Sequence, residues 1–85
     1  MVLDAILDTP AAGPLRLSLD RMITEHAPVH VDGQAVDRVG LACMQVLAAG
    51  QAAAKKIGLG FQIMTPSPAL IEMATLAGLA TLVTV

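Results

Sequence analysis

The sequence contains very few aromatic residues. Phe61 is the only one among 85 residues, although hydrophobic residues make up 55% of the chain. The core must therefore be built from Leu, Ile, Val, Met and Ala side chains. Such a core is thin, and we expect part of the apolar surface to meet another protein.

Charged residues are also scarce. They make up 14% of the chain, against about 25% in typical globular domains. The chain has five Lys and Arg residues and seven Asp and Glu residues, so its formal charge is −2. The only adjacent basic pair is Lys55 and Lys56. Because phosphate neutralisation needs a clustered basic face, this composition argues against a nucleic-acid partner.

The chain has a single cysteine, which excludes an internal disulfide. The neighbours of Cys43 include the apolar residues Leu41, Met44 and Val46. Nothing in the surrounding sequence would lower the pKa of the thiol. We therefore expect a buried and unreactive side chain.

Long hydrophobic runs are absent. The longest uncharged stretches, 39–54 and 57–71, contain Gln, Gly or Pro and are shorter than the roughly 20 apolar residues that a bilayer span needs. The first residues show no basic segment before an apolar one, so no secretory signal is expected. These features predict a cytoplasmic protein.

The order of apolar segments and turn signals predicts a β-α-β-α-β-α chain. Strands are expected at 2–8, 29–31 and 61–64, with 80–85 as a final strand or an apolar tail. A first helix begins between Thr9 and Gly13, a second covers 41–57, and a third covers 68–76 with Ser67 as its N-cap. We therefore predict one α/β domain over 1–85, with a small, partly parallel sheet of about four strands and about three helices packed against it.

Motifs that would carry chemistry are missing. Neither GxGxxG nor GxxxxGK[ST] occurs, so nucleotide binding is not supported. Ser18 and Ser67 are explained by helix positions, and His26, His30 and Asp32 fall short of a metal site. No catalytic residue, cofactor or metal is expected, and the chain is not predicted to be an enzyme.

Residues 37–42, Asp-Arg-Val-Gly-Leu-Ala, lie between a predicted strand and a buried helix. This segment resembles the Asp-Ser-Ser-Gly-Leu or Asp-Thr-Gly-Gly-Leu type turn of the STAS family, the sulfate transporter and anti-sigma factor antagonist domains. Residues 65–70, Thr-Pro-Ser-Pro-Ala-Leu, are similar to the Asn-Pro-Ser-Pro stretch before the last helix of small bacterial members. With the strand-like segments 2–9 and 29–33, the resemblance extends over 2–80.

The resemblance implies a role for the turn. In anti-sigma factor antagonists of this family, a kinase-like partner phosphorylates the Ser immediately before the Gly. Val39 occupies that position here and follows the cationic Arg38, so neither a phosphate acceptor nor an acidic mimic is present. This implies constitutive binding without the usual switch, and packing of the turn explains Val39 equally well.

The resemblance predicts a protein–protein interaction module of bacterial signalling, of the anti-sigma factor antagonist or chemotaxis-cluster type. The predicted partner is an anti-sigma factor or a histidine-kinase-like protein, and self-association is expected when it is absent. One alternative is an accessory subunit of an ABC-type lipid transport ATPase, and another is a domain that binds a nucleotide or lipid. Asp37 is expected to orient the turn, and the predicted partner-binding residues are Asp37, Arg38, Val39, Gly40 and Gln45.

Overall fold

The computed structural model of the protein describes residues 1–83. This part of the chain contains three α-helices and four short strands, with β2 and β3 consecutive, and a 3₁₀ turn follows the last helix. In chain order the elements are β1 (Ile6–Leu7), α1 (Thr9–Thr24), β2 (Val29–Asp32), β3 (Arg38–Val39), α2 (Leu41–Lys56), β4 (Phe61–Met64), α3 (Pro68–Leu76) and the 3₁₀ turn (Ala80–Leu82).

The strands form two parallel pairs. β1 pairs with β3, with Ile6 opposite Arg38 and Leu7 opposite Val39. β2 pairs with β4 over all four residues of each strand. Since every pairing is parallel, each pair needs a crossover connection, and helices supply most of these connections.

The first residues of the chain join the two pairs. The backbone N–H of Leu3 donates to the carbonyl of Asp32 at 2.9 Å, and the N–H of Asp32 donates to the carbonyl of Met1 at 2.8 Å. Two residues further along, the carbonyl of Ala5 accepts from the N–H of Arg38 at 3.0 Å. Residues 1–5 and β1 together therefore lie between β2 and β3, and the order across the strands is β3, β1 with residues 1–5, β2, β4.

The core lies on one face of these strands. Along β2, Val29 and Val31 are fully buried while His30 is exposed, as expected for a strand with one face covered. The covered face meets the apolar sides of the helices. The core is an aliphatic cluster with one thiol, which includes Leu19, Cys43, Met44, Leu47, Ile63, Leu70 and Leu82. No helix among residues 1–83 is both long and apolar enough to cross a membrane.

The structure confirms the mixed α/β fold class with three helices on parallel strands. β2 and β4 lie where strands were predicted, whereas β3 was not predicted as a strand. The strand expected over 2–8 is reduced to β1 and an isolated bridge between Val2 and Asp32. Residues 80–85 were expected to form a strand or an apolar tail. Ala80–Leu82 form a 3₁₀ turn that buries Leu82, so the strand is wrong for these three residues, and residues 84–85 lie outside the described part.

Helix α3 begins and ends as predicted. The Ser67 hydroxyl accepts a hydrogen bond from the N–H of Leu70 at 3.1 Å, and Pro68 is the first helical residue. Gly78 follows the helix with a φ of +73°, a left-handed conformation that glycine adopts without strain. Helix α1 begins at Thr9, within its predicted range. Asp8 precedes it as the N-cap residue, and the Asp8 carboxylate makes no capping hydrogen bond.

Candidate functional site

The segment 37–40, which was predicted as a turn, contains the short strand β3, and Gly40 alone connects that strand to α2. Gly40 is the N-cap residue of α2, in an extended conformation, and it provides no side chain to cap the helix. Its N–H donates to the carbonyl of Leu7 at 2.9 Å, at the carboxyl end of β1. The parallel pairing thus fixes the turn beside the start of α1, so that α1 and α2 begin close together at one edge of the sheet.

Strand alternation divides the residues of the turn between surface and core. Arg38 is exposed beside Ile6, which is 52% exposed, whereas Val39 is 8% exposed beside the buried Leu7. Val39 belongs to the hydrophobic core. Arg38 can therefore reach a partner, while the main observed role of Val39 is packing.

Asp37 was expected to orient the turn. Its side chain is exposed, and the carboxylate makes no hydrogen bond to any residue of the described chain. Its backbone N–H, in contrast, donates to the carbonyl of Ala5 at 2.8 Å. The backbone pairing with the N-terminal segment, rather than the carboxylate, holds this residue in place.

A groove of about 470 Å³ opens beside the turn. The ends of β1 and β3 form one side, and α3 forms the other through Met73 and Leu76. Leu76 is 75% exposed, so part of the apolar lining of the groove is open to solvent. We call this feature the β1–β3–α3 groove.

Gln45 does not lie in this groove. It lines a separate depression between α1 and α2, together with Arg16 and Asp20 of α1. Gln45 follows Gly40 by five residues, which places it roughly 140° around the helix axis at 3.6 residues per turn. The structure therefore brings together 37–40 and separates Gln45 from them.

Charged side chains surround the apolar part of the groove. Three carboxylates, of Asp8, Asp37 and Glu72, line it together with one guanidinium, of Arg38. Among residues 1–83 the only ion pair joins Arg16 and Asp20, on the exposed face of α1. The groove therefore has an excess of negative charge, and none of its four charged side chains is neutralised by an ion pair within the described chain.

Sequence reasoning missed Ile6, Glu72 and Leu76 as members of this site. The sequence pattern does indicate that the two apolar residues, Ile6 and Leu76, lie outside the core. Adjacent strand residues face opposite sides, so Ile6 and Leu7 cannot both enter one core. In α3 the buried residues Leu70 and Ala74 are four positions apart, which leaves Leu76 away from the buried face.

Cys43 lies in the first turn of α2 and is fully buried. Its Sγ donates to the backbone carbonyl of Asp8 at 3.3 Å. Burial raises the pKa of the thiol, and the nearby Asp8 carboxylate raises it further. The group therefore stays protonated near neutral pH, which agrees with the predicted buried and unreactive thiol.

The chain matches a known protein family. A protein-family model described as "Mlab, STAS domain" matches residues 1–84, which is essentially the whole chain. No curated protein matches the chain. The family match confirms the resemblance noted in the turn at 37–42 and in the segment at 65–70.

Proposed function

The chain belongs to the STAS domain family, and on that premise we propose that it regulates a bacterial signalling protein in the cytoplasm by binding to it. Domains of this family are commonly involved in protein–protein interaction and anti-sigma factor antagonism, and they are generally not enzymes. The proposed partner is an anti-sigma factor or a histidine-kinase-like protein. The proposed contact surface is the turn at 37–40.

The observation that carries this proposal is the exposure of Arg38 at the edge of an apolar groove. Its guanidinium makes no ion pair within residues 1–83, and its strand neighbour Ile6 is half exposed. Charged and apolar groups exposed side by side are typical of the edge of a protein interface. The backbone bonds from β1 hold this surface in a fixed shape, which limits the entropy lost on binding.

Binding is proposed to be constitutive with respect to position 39. Val39 has no hydroxyl, and its side chain is packed in the core rather than presented to a kinase. A phosphate cannot be added there, so the charge-based switch of phosphorylated antagonists is not available at this residue. Control of binding would then depend on the amounts of the two proteins.

The test compares Arg38→Asp with Arg21→Asp, which changes the charge equally at an exposed position of α1 outside the groove. Each tagged chain is used for affinity capture from the native cell lysate, followed by quantitative mass spectrometry. We expect Arg38→Asp to reduce recovery of the partner by about tenfold or more, and Arg21→Asp to leave it unchanged. Thermal melting should show that both variants remain folded, because exposed substitutions change the free energy of unfolding by about 0.5 kcal/mol or less.

Two results would contradict the proposal. Equal recovery with both variants would exclude the turn as the contact surface, and unfolding of Arg38→Asp would show that the residue is structural. The identity of the captured protein distinguishes the signalling role from the alternative role as a transporter subunit. A stable complex with an ABC-type ATPase would support the accessory-subunit role in place of signalling.

A further inference from the structure

We infer that the β1–β3–α3 groove binds an amphipathic helix of the partner whose apolar face is flanked mainly by Lys and Arg. This inference depends on the proposed function, because it names the chemistry of the partner at the same surface. It rests on the exposed apolar residues of the groove, on its uncompensated charge and on its open shape.

Both sides of the groove expose apolar side chains. Leu76 is 75% exposed and Ile6 is 52% exposed, and the half-buried Met73 lines the groove with them. Covering exposed apolar area releases about 25 cal/mol per Å². Apolar side chains of an occupant would therefore make binding more favourable by covering these residues, in addition to any polar contact.

The charged side chains of the groove determine which charges a bound apolar segment should carry. Asp8, Asp37 and Glu72 give the groove three negative charges against the single positive charge of Arg38. None of these groups has an ion-pair partner in the described chain, so a docking segment would not have to break an existing pair. The complementary segment carries about three basic side chains and one carboxylate for Arg38.

The shape of the groove favours a helix over a small molecule or a strand. Small ligands bind in pockets that bury about 70–90% of their surface, whereas this groove is open to solvent along its length. An added strand would have to pair with β3, which is two residues long and already packs against α3. An amphipathic helix needs neither enclosure nor a free sheet edge, since its apolar side chains lie in the groove and its polar side chains stay in water.

The direct test uses three synthetic peptides of roughly 14 residues with the same apolar content. The first has Leu at helical spacing with three Arg and one Glu, the second reverses every charge, and the third is a scramble of the first. Fluorescence anisotropy gives the affinity for the full chain. We expect the first peptide to bind about tenfold or more tightly than either of the others, and this preference to fall as salt is added.

Matched variants locate the binding. Glu72→Lys should weaken the first peptide by about tenfold, and Glu25→Lys, an exposed charge reversal just after α1, should not. Leu76→Ser should also weaken it, whereas Leu17→Ser, which removes an equally exposed leucine from α1, should have no effect. Backbone amide shifts on titration should concentrate in the groove.

Several results would overturn the inference. These are the absence of binding, equal affinity for the charge-reversed peptide, or amide shifts centred on the depression between α1 and α2. A second copy of this chain is another possible occupant, because Lys55, Lys56 and the exposed Ile57 form a basic, partly apolar end of α2. A dimer that blocks the peptide and is lost in Lys55→Glu and Lys56→Glu would identify that occupant and refute the inference.

The same variants separate this inference from the proposed function. If capture of the partner depends on Arg38 and is unchanged by Glu72→Lys and Leu76→Ser, the proposed function stands and the helix-binding groove is wrong. If capture is insensitive to all three substitutions, both proposals fail.

Discussion

At the scale of single residues, Gly33, which follows β2, leaves less room for an added Cβ atom than any other glycine of the chain. A Cβ atom at this position would lie 2.7 Å from Cδ2 of Leu70 and 3.2 Å from Cγ2 of Ile63. The side chains of Leu70 and Ile63 are both buried, so neither can move aside freely. We expect Gly33→Ala to lower the free energy of unfolding by about 1–3 kcal/mol through overpacking, as measured by urea denaturation.

Gly60 provides the control for this substitution. It precedes β4, its φ is not positive, and no atom outside its chain neighbours would come within 4 Å of an added Cβ. Gly60→Ala should stabilise the protein by about 0.4–1 kcal/mol, because alanine reduces the conformational entropy of the unfolded chain. A Gly33→Ala variant as stable as the original protein would show that Leu70 can repack at no cost.

The thiol of Cys43 leads to a prediction on pH. Because its pKa is raised in the folded chain, the folded state holds the proton at pH values where the unfolded state has released it. This stabilisation is complete below the pKa of the unfolded thiol and is lost as the pH rises through the folded value. Above about pH 9, the free energy of unfolding should therefore fall more steeply for the original protein than for Cys43→Ala.

Denaturation curves at several alkaline pH values test this expectation. The other titrating groups are common to both chains, so the difference between their slopes isolates the thiol. Identical slopes would mean that the folded environment does not disfavour the thiolate.

At the scale of elements, α3 depends on its N-cap. The hydrogen bond from the Leu70 N–H to the Ser67 hydroxyl lies in a buried region, where water cannot replace it. Ser67→Ala should cost about 1–2 kcal/mol in thermal or urea unfolding. Ser18→Ala, on the exposed side of α1, should change the stability by no more than about 0.5 kcal/mol. Equal effects at the two positions would contradict the capping role.

The sequence predicts those elements whose signals are local. Helix α3 carries Ser67, Pro68 and Gly78 at its ends, and each residue has a conformational preference that does not depend on the rest of the chain. β3 carries no comparable signal, because two residues are too few to show an alternating pattern. It exists because β1 provides hydrogen-bonding partners, which only the folded chain brings to this position.

The candidate site was predicted in part for the same reason. The turn at 37–40 is contiguous and was found from its sequence. The groove beside it combines Ile6, Glu72 and Leu76, which are brought together by tertiary packing. Gln45 was placed with the turn because it is near in sequence, but the rotation of α2 turns it away.

At the scale of the whole molecule, stability depends on an aliphatic core with no buried aromatic ring. Typical values of about 0.05–0.15 kcal/mol per residue give this chain roughly 4–13 kcal/mol in total. Leu47 is fully buried in α2, and replacing it with alanine should cost about 2–5 kcal/mol, a large part of that total. Calorimetry should show a clearly lower melting temperature for Leu47→Ala.

Leu17→Ala is the matched control, since Leu17 is 71% exposed on α1. It should melt within about 2–4 °C of the original protein, because the same side chain is removed without opening a cavity. Similar losses in both variants would mean that Leu17 is covered in solution, for example by a second copy of the chain.

The interleaved strand order has a consequence for how the chain reaches its native state. Ile6 lies opposite Arg38 and Val29 lies opposite Phe61, so in each pair the partners are 32 positions apart along the chain. No strand pair among residues 1–83 can form as a local hairpin, and each must first close a long loop at an entropic cost. During synthesis, the second pair has to wait until β4 has left the ribosome. The groove is also completed late, because it needs Met73 and Leu76 of α3, so a partner meets the finished surface only after residue 76 has emerged.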